Sequence, residues 1–212
     1  MTHRFWPVLD IRLATPLVQL RPMTEADQDE LAVLLPDDVE LDPAATSYPG
    51  RDGRAGRGTV LHQGYWKSYG TWSPEAWRLS FVVTSGGAVV GVQELEGNDF
   101  ARLGTLDSSS FLVERARGHG LGKEMRRAVL ALGFGPLAAE VAVTEAWQDN
   151  AASLGVSRSL GYRPNGEALH RRGDGVDTMV HLRLTRADWL AGDLAAGVEV
   201  AGYEAALPFF GV

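Results

Sequence analysis

Apolar residues change their spacing along the chain, and each change marks an element. Residues 79–84 alternate or are wholly apolar, Ser85-Gly86-Gly87 turns, and residues 88–95 return, which predicts a hairpin. Residues 102–113 read as one further strand, ending in the apolar run Ser110-Phe111-Leu112-Val113. Beyond it Leu121, Met125, Ala128, Val129 and Leu132 recur at helical spacing. Val141-Ala142-Val143 suits a buried strand, Asn150 can cap the helix that follows, and Gly161 can end that helix in a left-handed conformation. Nearer the start, Thr24 with Asp27 three residues on is a capping-box variant opening a helix to about residue 35. Gly173-Asp174-Gly175 separates two strand-like stretches, residues 166–171 and 176–184. Strands and helices mixed in this way predict a single α/β domain over residues 1–212.

Between the strand ending at Val113 and the helix starting near Leu121 lies Arg117-Gly118-His119-Gly120-Leu121-Gly122-Lys123. Glycines at alternate positions let the main chain approach a bulky anion with no Cβ in the way. The first N–H groups of a helix have no partner inside it, and the helix dipole adds about half a positive charge there. The stretch therefore reads as a cradle for a pyrophosphate. A nucleoside-triphosphatase loop would need glycine at Arg117 and Ser or Thr at Glu124. A dinucleotide fingerprint would need a third glycine at Lys123 or at Met125. Both readings fail.

What remains is Arg-x-x-Gly-x-Gly on Arg117, Gly120 and Gly122, followed downstream by Asn150, Ser153 and then Ser159-Leu160-Gly161-Tyr162. In these two motifs, in their order and spacing, the chain resembles the GNAT superfamily of N-acetyltransferases, in particular its ribosomal-protein alanine acetyltransferase (RimJ/RimL-like) group. The resemblance extends over residues 17–184, with Leu17-Val18-Gln19-Leu20-Arg21-Pro22 as the first strand. It implies a twisted, mainly antiparallel mixed sheet with helices on both faces and central strands that splay where pantetheine inserts. It implies acetyl-CoA as co-substrate, its diphosphate on residues 117–123. Backbone N–H groups near Phe111, Leu112 and Val113 would meet the coenzyme and its thioester carbonyl. Asn150 and Ser153 would lie beside the pantetheine arm.

Acetyl transfer to an amine needs a proton acceptor, a stabilised oxyanion and a neutralised thiolate. Many relatives carry an acidic residue near the start of the strand that holds Asp107, which makes Asp107 the first candidate base; Glu94 is the second. Either carboxylate serves best if burial raises its pKa. His62 and His119 suit by pKa alone, although His119 sits inside the phosphate loop. Many GNAT enzymes place a general-acid tyrosine seven residues after the motif asparagine. That position is Ser157 here, a shorter and weaker acid. The chain has no cysteine, so no acyl group can rest on an enzyme thioester; the amine must attack acetyl-CoA directly in a ternary complex.

Residues 36–77 are long, irregular and rich in glycine and aromatics, and residues 51–58 read as mobile. A loop of this length in a compact domain has a function or is disordered. In the family this region covers the acceptor site, so Tyr65, Trp66 and Trp72 are candidates for the acceptor pocket. A helix packing these aromatics on the core is the equal alternative. The acceptor is then a small-molecule amine or a protein N-terminus, and an enclosing aromatic insertion favours the small molecule. A non-catalytic module that binds coenzyme A is the rival from another class.

Composition narrows the setting. Of 212 residues, 45% are hydrophobic and 22% charged, the proportions of an ordinary globular domain. A net charge of −7 argues against nucleic acid as a partner. No apolar run approaches the roughly 20 residues that cross a bilayer, so no membrane partner is expected, and no signal-peptide core is evident. The absence of cysteine fits a cytoplasmic location. The tail, residues 198–212, is apolar and could pack on the domain or on a second subunit, which leaves a homodimer open.

Overall fold

The structure is a computed structural model that describes residues 3–40, 45–46, 48–51 and 53–212. Its strands are β1 (Arg12–Ala14), β2 (Gln19–Pro22), β3 (Ala76–Ser85), β4 (Ala88–Asn98), β5 (Thr105–Asp107), β6 (Ser110–Leu112), β7 (Val141–Trp147), β8 (Arg163–Arg172), β9 (Gly175–Thr185) and β10 (Glu199–Ala201). Its α-helices are α1 (Gln28–Leu34), α2 (Gly53–Gly70), α3 (Phe100–Leu103), α4 (Leu121–Phe134), α5 (Ala151–Ser159) and α6 (Arg186–Leu190). Among the described residues the strands form one sheet in the order β10-β1-β2-β3-β4-β5-β7-β9-β8, with β6 continuing along β4. Its pairings are antiparallel except β5 with β7.

Alternation along the strands divides the side chains between two layers. One face carries Leu20, Leu79, Phe81, Leu95, Leu106 and Leu182, and α4 packs there through Met125, Ala128, Val129 and Leu132. The other face carries Val82 and Val92 and is covered by α1 and α2 through Leu31, Leu61 and Tyr65. Helices therefore lie on both faces, as the resemblance implies.

The expected strand over residues 102–113 is broken. Residues 100–103 are the short helix α3, and Ser108-Ser109 interrupts the ladder between β5 and β6. Local bonds explain the interruption. The Ser108 N–H donates to the Asp107 carboxylate at 2.6 Å. The Ser109 carbonyl accepts from the Glu94 N–H at 2.8 Å and from Gln93 Nε2 at 2.8 Å. Asp107 pairs with Val143, after which β6 follows β4 while β7 follows β9. The two strands part there in a V.

The irregular segment is also corrected. Residues 53–70 form the 18-residue helix α2, and the glycines expected to be mobile open it. Arg57 Nη2 ties the helix to the Pro36 and Val39 carbonyls at 2.5 and 2.8 Å, and Arg54 donates to the Val33 carbonyl. Residues 41–44, 47 and 52 of this segment lie outside the described residues.

The tail packs on its own domain. β10 pairs with β1, a strand the sequence pattern did not disclose, and Phe210 is buried with its ring 4.7 Å from that of Trp77. Phe210→Ala is expected to cost about 3–5 kcal/mol in urea unfolding, the usual loss for a buried phenylalanine. A change near zero would show the tail to be dispensable.

Candidate active site

The glycine loop stands directly ahead of α4, and its glycines differ in purpose. Gly118 and Gly120 hold φ of +78° and +77°, conformations that L side chains rarely adopt, and a Cβ at either would point into open space. Gly122 instead permits contact: a Cβ there would stand 3.4 Å from Val156 and 3.6 Å from Leu112. Gly118, His119 and Gly120 are exposed, and α4 opens on the amides of Leu121 and Gly122, while the Lys123 N–H already donates to the Gly120 carbonyl at 3.1 Å; an exposed helix start of this kind can accept an anion.

Arg117 is already engaged. Its guanidinium grips Asp38 in two hydrogen bonds of 2.6 and 2.8 Å, and Nε donates to the Leu112 carbonyl at 3.2 Å. The hydrogen bond from Arg117 holds the Asp38 carboxyl below the usual carboxylate range. Two residues on, Glu40 accepts from Arg172 at 2.8 Å and from the Trp147 indole at 2.9 Å. Residues 38–40 thus link the loop before α4 to the β7–β8 side of the sheet.

Of the three amides expected to meet the coenzyme, one is excluded by its partner: the Val113 N–H donates to the Val90 carbonyl at 2.9 Å. Alternation then turns the Phe111 amide toward β4 as well, and the Leu112 amide into the V. Asn150 caps α5, accepting from the Ser153 N–H at 3.0 Å. Ser157 is buried and donates its hydroxyl to the Ser153 carbonyl at 3.1 Å, so its proton is already committed.

A cavity of about 1130 Å³ lies between α2 and the sheet. Tyr65 and Trp66 stand in its α2 wall; Glu94, Glu96, Ser80 and Ser109 stand in its sheet wall, and Phe111 carries the wall to β6. Glu94 accepts from the Ser80 hydroxyl at 2.6 Å and the Ser109 hydroxyl at 2.8 Å. Glu96 accepts from Arg78 Nε at 2.6 Å. Trp72 is corrected: it takes no part in this wall, because its indole N–H donates to the Phe209 carbonyl at 2.8 Å and its ring stacks on Trp77.

Asp107 faces the same side of the sheet as Glu96, its antiparallel partner, at the point where the V begins. Burial raises its pKa from 3.8 to about 6; the Ser108 amide opposes this, while the charges of Glu96 and Glu145 add to it and that of Arg126 subtracts. Arg78, Ser80, Ser109, Thr144 and Arg126 were not singled out in the sequence. Singly they resemble ordinary strand and helix residues, and only the cross-strand register brings them together.

Residues 18–163 match the acetyltransferase (GNAT) domain family. The chain belongs to that family. As a GNAT acetyltransferase it uses acetyl-CoA as acyl donor. It is similar to Mycobacterium smegmatis RimJ, solved in complex with CoA-disulfide, at 18% identity over 94% of this chain and 96% of that one, TM-score 0.68. It is similar as well to a chimera of the spermidine N-acetyltransferase SpeG from Vibrio cholerae with hSSAT, at 14% identity over 83% and 99%, TM-score 0.64. Among the described residues no helix is long and apolar enough to cross a membrane.

The raised pKa of Asp107 carries a stability consequence. The native state of this acetyltransferase binds that proton more tightly than the unfolded chain does. The group therefore costs stability once both states are ionised, and the cost grows as pH rises from 3.8 to about 6. Asp107→Asn is expected to stabilise the protein at pH 7.5 by up to about 3 kcal/mol, at roughly 1.4 kcal/mol per pK unit, with the gain vanishing near pH 3.8. Urea midpoints across that range check this; a gain independent of pH would refute the assignment.

Proposed function

We propose that the chain acetylates a small primary amine held in the cavity beneath α2. The observation that carries this reading is the position of Glu94 in the wall of that cavity, between two serine hydroxyls and on the side that leads to Phe111 and the V. An ammonium entering the cavity meets the carboxylates of Glu94 and Glu96, while Tyr65 and Trp66 offer apolar surface to its carbon chain. Glu94 holds the amine. Asp107, poised near neutrality, accepts its proton through water, and the Leu112 amide faces the thioester oxygen. The cradle of residues 117–123 fixes the diphosphate end of acetyl-CoA. The absence of cysteine suits a reducing cytoplasm and is consistent with direct transfer.

The cavity volume, about 1130 Å³, exceeds the roughly 300–1,000 Å³ usual for a small-ligand pocket, which favours an extended acceptor as the second reading. A polyamine-like chain or the N-terminus of a peptide would fill it. SpeG, similar to this chain in fold, is a spermidine N-acetyltransferase, and spermidine is an acceptor of the first kind.

Thiol release from acetyl-CoA, followed over a panel of amino acids, polyamines, amino sugars and N-terminal peptides, tests the reading. Turnover is expected on a cationic small amine. Turnover on peptides alone would favour the protein acceptor, and coenzyme binding without turnover on any amine would favour the regulatory module. A proton acceptor must be ionised, so kcat/KM should rise with pH through about 6 and then level. Asp107→Asn should abolish that rise, whereas Glu94→Gln should raise the amine KM about tenfold or more, the loss expected for a charge-assisted bond. Gly120→Glu should lose coenzyme binding by calorimetry while remaining folded, because it puts a charged side chain in the cradle and strains a φ of +77°.

A further inference from the structure

The closed end of the V holds polar side chains that the acceptor cavity does not use. Thr144 Oγ1 donates to the Ser108 carbonyl at 3.1 Å, bridging the two strands just where they part. Beneath that bridge, on the face opposite Asp107, Arg126 reaches up from α4 and donates Nη1 to Thr144 Oγ1 at 3.2 Å. Arg126 is 3% exposed, yet among the described residues no carboxylate lies within ion-pair distance of it. Arg126 Nε, Ser108 Oγ and the Tyr162 hydroxyl are buried together there without a hydrogen-bond partner among the described residues. Burying a cation unpaired costs several kcal/mol, and each unpaired polar group adds to that. Side chains contributed by α4, by β7, by the break after β5 and by the approach to β8 converge on this one spot.

We propose that Arg126, Tyr162 and Ser108 form a buried anion socket that takes the negative charge developing on the coenzyme's sulfur. This rests on the acetyl-transfer reading. The amine nitrogen forms a bond to the thioester carbon, and the carbon–sulfur bond breaks with its electron pair passing to sulfur. The proton leaves nitrogen through water to Asp107. Sulfur stays anionic beside the Arg126 guanidinium and the Tyr162 O–H until it takes a proton from solvent as Asp107 gives its own back to solvent, so that the net proton transfer is from nitrogen to sulfur. Tyr162 is fitted to donate: burial raises its pKa, and Ser108 and Arg126, close by but outside hydrogen-bond geometry, only partly oppose that. Its main chain also bonds to Ser157, donating N–H to the Ser157 carbonyl at 3.1 Å. Proton acceptor and anion socket then occupy opposite faces of the sheet at the same break, one on each side of the Asp107–Ser108 peptide.

The test reads the thiol itself. Coenzyme A is titrated into the parent protein, Arg126→Met, Arg126→Lys and Tyr162→Phe by calorimetry, and the thiolate of the bound coenzyme is then followed by ultraviolet absorbance against pH. In the parent the bound thiol should ionise at least about one pK unit below the thiol of free coenzyme A titrated alongside, a tenfold shift in its equilibrium. Arg126→Met should return it to the value of free coenzyme A, Arg126→Lys should keep part of the shift, and Tyr162→Phe should be intermediate. Acetyl-CoA KM should change less than kcat in all three. Unfolding midpoints identify a variant that fails to fold; Tyr162→Phe, which keeps the ring, carries the test if Arg126→Met does. A parent that binds coenzyme A with an unshifted thiol overturns the socket and leaves the acetyl-transfer reading standing. A shift that survives both Arg126→Met and Tyr162→Phe also overturns it. A parent that does not bind coenzyme A overturns both.

Discussion

The site depends on the parting of two strands. β5 and β7 run parallel for three paired residues and then separate: the Ser108 N–H goes to the Asp107 carboxylate, the Ser108 carbonyl takes the Thr144 hydroxyl in place of a β7 amide, and the Ser109 carbonyl faces Glu94 and Gln93. A continuous ladder at this point would fill the middle of the sheet with paired backbone. The break gives the sheet an interior edge, with the Leu112 amide turned into it. It also fixes what stands on each side: Asp107 above, and the Thr144 bridge with Arg126 below. Every other part of the site is placed relative to this gap. α4 begins where β6 ends, so the cradle lies at its open end, and α2 covers the sheet beside it.

The two motifs could be read directly because each is local. A glycine pattern between a strand and a helix, and an asparagine cap with a glycine terminator one helix later, declare their geometry within a dozen residues. Gly118, Gly120 and Gly161 all take the positive φ that such readings require. The hairpin of β3 and β4 was legible for the same reason, since its turn and its alternation adjoin.

What escaped depends on distant partners. Residues 102–113 read as one strand, and β5 and β6 do keep a single register along β4; what the sequence hid is the short helix α3 at residues 100–103 and the pairing with β7, which ends at Asp107. Trp72 looks like its neighbours Tyr65 and Trp66, but its contacts are set by Phe209 and Phe210, over a hundred residues away. β1 and β10 are three residues each, too short for a period to show. The low hydropathy of the glycine-rich start of α2 concealed a helix that arginines anchor to the carbonyls of residues 33–39. Arg126 was invisible as well: a charged residue inside a helical stripe reads as its solvent side until the opposite wall is seen.

The Asp38–Arg117 clasp bears on how the coenzyme arrives. A guanidinium already holding a carboxylate offers little net charge to an incoming diphosphate. On the proposed reading of residues 117–123, the loop's grip comes largely from the fixed dipoles of peptide groups, supplemented by Lys123. Dipoles act at contact range and have few counter-ions to shed, so they hold an anion well but do little to draw one from a distance. On a chain of formal charge −7, electrostatic steering of an anionic nucleotide is weak or adverse. On that reading, capture depends on collision and fit more than on long-range attraction.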